Sequence, residues 1–248
     1  MRHPNKVVII TGAAQGIGES IARKLCASGY MSAILDVNGS KAEALAEELT
    51  ISGAAVEAFC ADVSNVKRVR ETVQEIYGKY GRIDALVNNA GILHSTPIED
   101  ITEDEWDRIM AVNLKSVFFM SQAVIPHMKE AGGGRIVNMS SLAGRMGGIA
   151  NGVGYSASKA GILGLTKALA SRLAPFRINV NAIAPGTTAT ELITQFTPEK
   201  IDALCASIPL GRLGKAEEIA ELADFLLSGA AGFITGAVFD INGGQYIA

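Results

Sequence analysis

Tyr155 and Lys159 stand four residues apart in the run Tyr155-Ser156-Ala157-Ser158-Lys159. In a helix that spacing puts both side chains on one face, a turn apart, so a phenol and an ammonium would share a site. A unit charge about 4 Å from a phenol is worth roughly 4 kcal/mol at an effective dielectric of about 20, at most about 3 pK units. Such a shift brings a group that titrates near ~10 into the range of proton transfer at neutral pH. Tyr155 is therefore expected to act as a general acid or base, acidified by Lys159. A surface helix that happens to carry both residues is the plainer account of the pair, and the rest of the chain has to separate the two.

A second chemical feature lies near the N-terminus, where the β-type run Val7 to Thr11 enters Thr11-Gly12-Ala13-Ala14-Gln15-Gly16-Ile17-Gly18. A strand, a glycine-rich turn and a helix start form a phosphate site, because glycine lets backbone approach a pyrophosphate and the helix N-terminus supplies free N–H groups. Gly12, Gln15, Gly16, Ile17 and Gly18 are the expected cradle, although their spacing is GxxxGxG and not GxGxxG. Asp36 closes the second strand, 20 residues beyond Gly16. A carboxylate there accepts the adenosine ribose hydroxyls and repels a 2′-phosphate, which favours NAD over NADP. Neither Gln15 nor Val37 supplies the positive charge that a 2′-phosphate wants. Asp62-Val63 and Asn88-Asn89-Ala90-Gly91 end the third and fourth strands, and strand carboxyl ends converge on one crevice. Asp62, Val63, Asn89, Ala90 and Gly91 thus join the expected cofactor set.

The elements that must hold these residues follow from the hydrophobic pattern. Short β-branched runs at Val7 to Thr11, Ser32 to Asp36, Ala55 to Cys60, Ala85 to Val87, Arg135 to Met139, Ile178 to Ile183 and Ala237 to Ile241 alternate with helical patterns. The helical stretches are Ile17 to Ser28, Ser40 to Thr50, Val63 to Tyr80, Asp104 to Glu130, Tyr155 to Leu173 and Ala216 to Leu227. This alternation predicts an α/β chain: one doubly wound Rossmann domain over 1–248, with about seven parallel strands and helices on both faces. With 48% hydrophobic residues, 19% charged residues and a net charge of −3, the composition is that of a soluble globule, with no reason to expect nucleic acid or an anionic membrane as partner. The start, Met1 to Lys6, holds no long apolar run, and no uninterrupted apolar stretch reaches the ~18 residues of a membrane span. A cytoplasmic location is expected. Cys26, Cys60 and Cys205 have neither the spacing nor the companions of a metal site, so no metal is expected.

Taken together, Thr11-Gly12 with Gly16-Ile17-Gly18, Asn88-Asn89-Ala90-Gly91, Asn113, Ser140-Ser141, Tyr155 with Lys159, and Pro185-Gly186 resemble the classical short-chain dehydrogenase/reductase family. The resemblance extends to Asp240-Ile241-Asn242-Gly243-Gly244 near the end. It implies a nicotinamide-dependent oxidoreductase, often a homotetramer, with a four-residue active site. Under it, Tyr155 exchanges a proton with the substrate oxygen, while Lys159 lowers the tyrosine pKa and holds the nicotinamide ribose. Ser141 steadies the developing alkoxide, and Asn113 anchors a water that leads to the lysine. The loop with Pro185, Gly186, Thr188 and Thr190 reaches the carboxamide and phosphates. Ser141 is preferred to Ser140 because adjacent residues at a strand end face opposite ways, and Ser141-Leu142-Ala143-Gly144 fits the family's SxxG pattern. The 14-residue step from Ser141 to Tyr155 is one longer than the family usually shows, a length that the glycines between Arg145 and Gly154 can absorb.

Residues 191–208 carry Leu192, Ile193, Phe196, Ile201 and Leu204 in an amphipathic pattern, giving an expected substrate lid over about 187–208. His94 is expected to face solvent in its loop, with the substrate pocket as the alternative. Leu142, Ile149 and Leu192 suggest a small, neutral substrate. The favoured activity is NAD-dependent interconversion of a secondary alcohol, diol, polyol or hydroxyketone with its ketone. Reduction of a 3-oxoacyl thioester (acyl carrier protein) is the alternative that shares every motif, with Asp36 arguing against its common NADPH form. A dinucleotide-sensing regulator without catalysis is the third reading, against which stand Asn113, Ser141, Tyr155 and Lys159 together.

Overall fold

The computed structural model describes residues 3, 5–148, 152–191 and 196–248. Seven strands run parallel in the order β3-β2-β1-β4-β5-β6-β9: β1 (Val7–Thr11), β2 (Met31–Asp36), β3 (Val56–Cys60), β4 (Ala85–Asn88), β5 (Gly134–Met139), β6 (Ile178–Pro185) and β9 (Val238–Ile241). β1 reads Val-Val-Ile-Ile-Thr and is buried throughout, as a strand covered on both faces must be. Successive side chains leave opposite faces. Val8 and Ile10 pack with Ile21 and Leu25 of α1 (Gly16–Ala27), Leu45 of α2 (Gly39–Ile51) and Ile219 of α9 (Ala216–Leu227). Val7 and Ile9 pack with Val73 of α3 (Val66–Tyr80), Val124 of α5 (Ser116–Glu130) and Leu169 of α7 (Val153–Leu173). This is the doubly wound α/β arrangement that the alternation predicts. The chain leaves β1 for β2 on one side and returns to β4 on the other, so the order reverses beside β1 and opens a crevice at the strands' carboxyl ends.

Several boundaries differ from the sequence expectation for local reasons. The third helix starts at Val66 and not Val63, because Asn65 caps it by accepting from Arg68 N at 3.1 Å. The single helix expected over Asp104 to Glu130 is α4 (Glu103–Met110), a π-helical turn over Ala111–Lys115, and then α5. Within that turn the Ser116 N–H reaches back five residues to Ala111 O. By length and composition the whole run Glu103–Glu130 would suit a membrane span, but here α5 packs against α3 and the sheet. The loop after Ser141 contains a short helix, α6 (Ala143–Met146), which no sequence pattern announced. In the expected lid, β7 (Thr188–Ala189) pairs with β8 (Gly214–Lys215), and α8 (Pro198–Ala206) is capped by Thr197. Ile149, Leu192 and Ile193 lie outside the described residues.

Candidate active site

The glycine-rich turn is stitched to the end of β4. Thr11 Oγ1 accepts from Asn89 N at 3.0 Å and Ala90 N at 3.1 Å, while Asn89 Nδ2 donates to Thr11 O at 3.0 Å and Gly12 O at 2.9 Å. Asn89 therefore uses its amide to shape the turn. Gly12 has φ +63, and a Cβ there would fall 2.7 Å from Ala90 Cα. At Gly18 a Cβ would sit 2.0 Å from Gly12 O, so the first turn of α1 approaches the loop only because residue 18 has no side chain. Gly16 needs its glycine for conformation, φ +58, and a Cβ there would lie 3.7 Å from Thr190 Cγ2. The Pro185–Thr190 loop thus lies over the turn. Gln15 is exposed at the N-terminal end of α1, and Ile17 packs against the core. The free N–H groups of α1 and the bare glycine backbone form a concave surface suited to a pyrophosphate.

At the end of β2, Asp36 accepts from Ala14 N at 3.0 Å and Asn38 N at 2.9 Å, which fixes its carboxylate beside the glycine-rich turn. Val37 is exposed, as a residue beside a ribose site can be. The sequence reading found no cation at Gln15 or Val37; the fold brings one from α2, because Lys41 Nζ donates to Gln15 Oε1 at 3.1 Å and lies 3.7 Å from Glu191. Asp62 accepts from Ser64 N at 2.8 Å and from Arg108 at 3.1 Å. Burial works to raise its pKa, but the Ser64 and Arg108 contacts outweigh it and hold the carboxyl below its usual range. The Val63 side chain is buried in the core, which leaves its backbone to meet a ligand.

Further along the crevice, Gly91 brings the main chain to the catalytic candidates: a Cβ on it would be 3.4 Å from Lys159 Nζ and 3.5 Å from Asn113 Oδ1. Asn113 sits in the π turn, fully buried, with Oδ1 accepting from Ile92 N at 2.8 Å. Its Nδ2 donates to Ile92 O at 2.8 Å and Ser158 Oγ at 3.1 Å. The widened turn and this amide tie the Gly91 loop to α7, and with both Nδ2 hydrogens engaged a water attached to Asn113 would use its main chain or the second lone pair of Oδ1. Ser158 donates in turn to Tyr155 O at 2.7 Å. Ser140 faces inward and donates to Lys159 O at 2.7 Å. Ser141 points the other way, accepts from Ala143 N at 3.1 Å and has its hydroxyl on the side of the Tyr155 phenol, whose pKa it works to lower. His94 is half-exposed, with Nδ1 3.7 Å from Glu105 Oε1.

Tyr155 and Lys159 share one face of α7, with Nζ 5.6 Å from the centre of the phenol ring. The expected acidification of the phenol is not found in the free protein. Burial raises the Tyr155 pKa, and the Ser141 contact only partly opposes it. Lys159 is itself pushed down to about 8 by burial. Its Nζ donates to Met139 O at 2.8 Å and not to the phenol oxygen. Desolvation governs both groups, a cost that spacing alone does not show. Tyr155 is thus a protonated phenol at neutral pH, a proton donor before it is an acceptor.

Sequence reasoning missed an ion pair behind the site. Arg145 of α6 meets Asp240 of β9 in a two-point contact, Nε at 2.9 Å and Nη2 at 2.8 Å, fastening the segment after Ser141 to the sheet edge. The partners are 95 residues apart, beyond any local pattern.

Comparison with known proteins agrees with this geometry. A family model described as Enoyl-(Acyl carrier protein) reductase matches residues 12–245. The chain is 40% identical over 248 residues, 100% of both chains, to the 3-oxoacyl-[acyl-carrier-protein] reductase FabG of Thermotoga maritima. It is 39% identical over 243 residues, 98% of both chains, to the protein of that name from Pseudomonas aeruginosa. The crystal structure of gox2181 superposes with a TM-score of 0.95 at 35% identity, covering 98% of this chain and 96% of that one. With the glycine cradle, the buried Lys159 and the phenol beside Ser141 set on one parallel sheet, and with relatives matched from end to end, the chain belongs to the short-chain dehydrogenase/reductase family.

Proposed function

We propose that the chain reduces the keto group of a 3-oxoacyl thioester to the secondary alcohol with NADH, Tyr155 donating the proton. The family is one of oxidoreductases that use a nicotinamide dinucleotide, and the curated relatives named for this reduction match the whole chain. They reverse the order in which the sequence reading ranked its two activities. The observation that carries the chemistry is the protonated Tyr155 phenol beside the Ser141 hydroxyl, one helical turn from Lys159. When bound, the dinucleotide supplies the hydride. Ser141 orients the substrate oxygen and stabilises charge developing there, Tyr155 Oη delivers the proton, and Lys159 holds the cofactor ribose. Asp36, aimed by Ala14 N and Asn38 N, supports NADH over NADPH.

Asp36 also favours a second reading, the NAD-dependent oxidation of a small neutral alcohol or polyol. Following nicotinamide absorbance with acetoacetyl-coenzyme A and each reduced cofactor, and with a panel of secondary alcohols and NAD, separates the two. The thioester should be the better substrate, with NADH. A Tyr155→Phe enzyme should lose about 100-fold or more in turnover while still binding NADH; near-native turnover would remove Tyr155 from the chemistry. The reading includes a homotetramer, supported by the exposed apolar side chains of Trp106 on α4, Phe118 on α5 and Val153 on α7, and light scattering on the purified protein tests it.

A further inference from the structure

The loop after β6 is held from outside itself. Leu142 N donates to Pro185 O at 2.8 Å and Gly186 N donates to Ile241 O at 2.9 Å, which fixes where the loop begins. The next peptide is gripped by the C-terminal segment: Thr187 N donates to Gln245 Oε1 at 3.1 Å, and Gln245 Nε2 donates to Thr187 Oγ1 at 3.4 Å. A Cβ on Gly186 would lie 2.6 Å from Gln245 Oε1 and 2.8 Å from Asn242 Cα, so the side chain fits only against a glycine. The turn that carries Gln245 is closed by its own bonds. Gln245 N donates to Asn242 O at 3.1 Å, Gly244 N to Asn242 Oδ1 at 2.9 Å and Asn242 Nδ2 to Tyr246 O at 3.0 Å.

The same turn meets the far end of the segment over 187–208. Leu210 N donates to Gly243 O at 3.1 Å, and Cβ atoms on Gly243 and Gly244 would approach Ile208 Cγ2 to 2.6 Å and Pro209 to 3.0 Å. One short turn after β9 therefore holds both roots of the loop over the site. Because a peptide unit is planar, fixing the Thr187 N–H also fixes the Gly186 carbonyl, and Thr188 Oγ1 donates to that carbonyl at 3.0 Å. The orientation of one peptide is thus passed to the residue expected to meet the nicotinamide carboxamide.

We propose that Gln245 is a positioning residue for the nicotinamide half of the site, setting the Gly186–Thr188 backbone from the C-terminal turn. This rests on the dinucleotide reading given above. Three measurements on the full chain test it: equilibrium NADH titration by fluorescence, amide hydrogen exchange over 186–190, and the thermal midpoint. Gln245→Met, equal in length without the polar atoms, should weaken NADH binding about tenfold and speed exchange over this loop, the result of one backbone donor left without its partner. Gln245→Glu keeps an acceptor for Thr187 N and should restore slow exchange, whether or not Gln245→Met folds. NADH binding by Gln245→Met within about twofold of wild type would overturn the proposal. So would loop exchange in Gln245→Glu as fast as in Gln245→Met, because bulk and not hydrogen bonding would then be what matters. A wild-type protein that binds neither NADH nor NADPH overturns the dinucleotide reading itself, whereas unimpaired binding by Gln245→Met overturns this inference alone.

Discussion

Lys159 makes the free protein less stable near neutral pH than it is in mild base, and the size of that effect follows from its surroundings. The side chain is 4% exposed, and burial lowers its pKa from 10.5 to about 8. The folded state therefore binds fewer protons than the unfolded chain between those values, and stability rises with pH wherever the unfolded state binds more. The penalty is fully present below pH 8 and is relieved as the pH climbs through 8 towards 10.5. Between about pH 7 and about pH 9.5 the gain amounts to about 2 kcal/mol. Urea unfolding of wild type and Lys159→Met across this window isolates the contribution, since all other titrations cancel in the difference. The window stops short of the range in which Tyr155, whose pKa burial raises, begins to ionise. Wild type should gain about 2 kcal/mol on Lys159→Met. A flat difference across the window would refute the claim that the folded chain buries an ammonium that donates, among the described residues, to the Met139 carbonyl.

Two further outcomes follow from the cofactor end of the crevice. Gly18→Ala places a methyl 2.0 Å from Gly12 O, against backbone that cannot move aside, and should cost about 3 kcal/mol in a denaturation experiment with loss of dinucleotide binding; an unchanged unfolding midpoint would contradict the close approach. Asp36→Ala should raise the Michaelis constant for NADH about tenfold or more through lost charged hydrogen bonds to the ribose. It should also improve NADPH, since the substitution removes the carboxylate fixed beside the glycine-rich turn and leaves Lys41 next to Gln15; steady-state kinetics with both cofactors decide it.

The architecture was legible because the strands bury both faces. Runs such as Val7 to Thr11 stand out as unbroken β-branched segments, and each strand of the seven-stranded sheet lies within two residues of its expected place, whereas the short pair β7 and β8 had no counterpart in the expected pattern. The motif residues were equally legible, since glycine, asparagine and the Tyr155–Lys159 pair mark positions where side chain or backbone has little choice. What escaped reading was of three kinds. Arg145 with Asp240, and Gln245 with Thr187, are partners 95 and 58 residues apart whose meeting depends on the order of strands and on no local pattern. The direction of the Tyr155 shift escaped because spacing reports neighbours and says nothing of lost water. The π turn left no trace at all: Ile109, Val112, Asn113, Ser116, Val117 and Met120 are buried at ordinary helical intervals straight through it.

That widened turn limits how the protein can be re-engineered. An α-helix advances 100° per residue, and a turn closed by i to i−5 bonding, as from Ser116 N to Ala111 O, holds one residue more than a regular turn would. Deleting a residue between 111 and 115 to make a straight rod would swing α4 and everything before it round the barrel of α5. Asn113 would then part from Ile92, and Trp106, whose ring would meet a Cβ on Gly154 at 3.5 Å, would leave its place against α7. Redesign that idealises this helix would erase the irregularity on which the site is assembled, so repacking for greater robustness has to leave those five residues as they are.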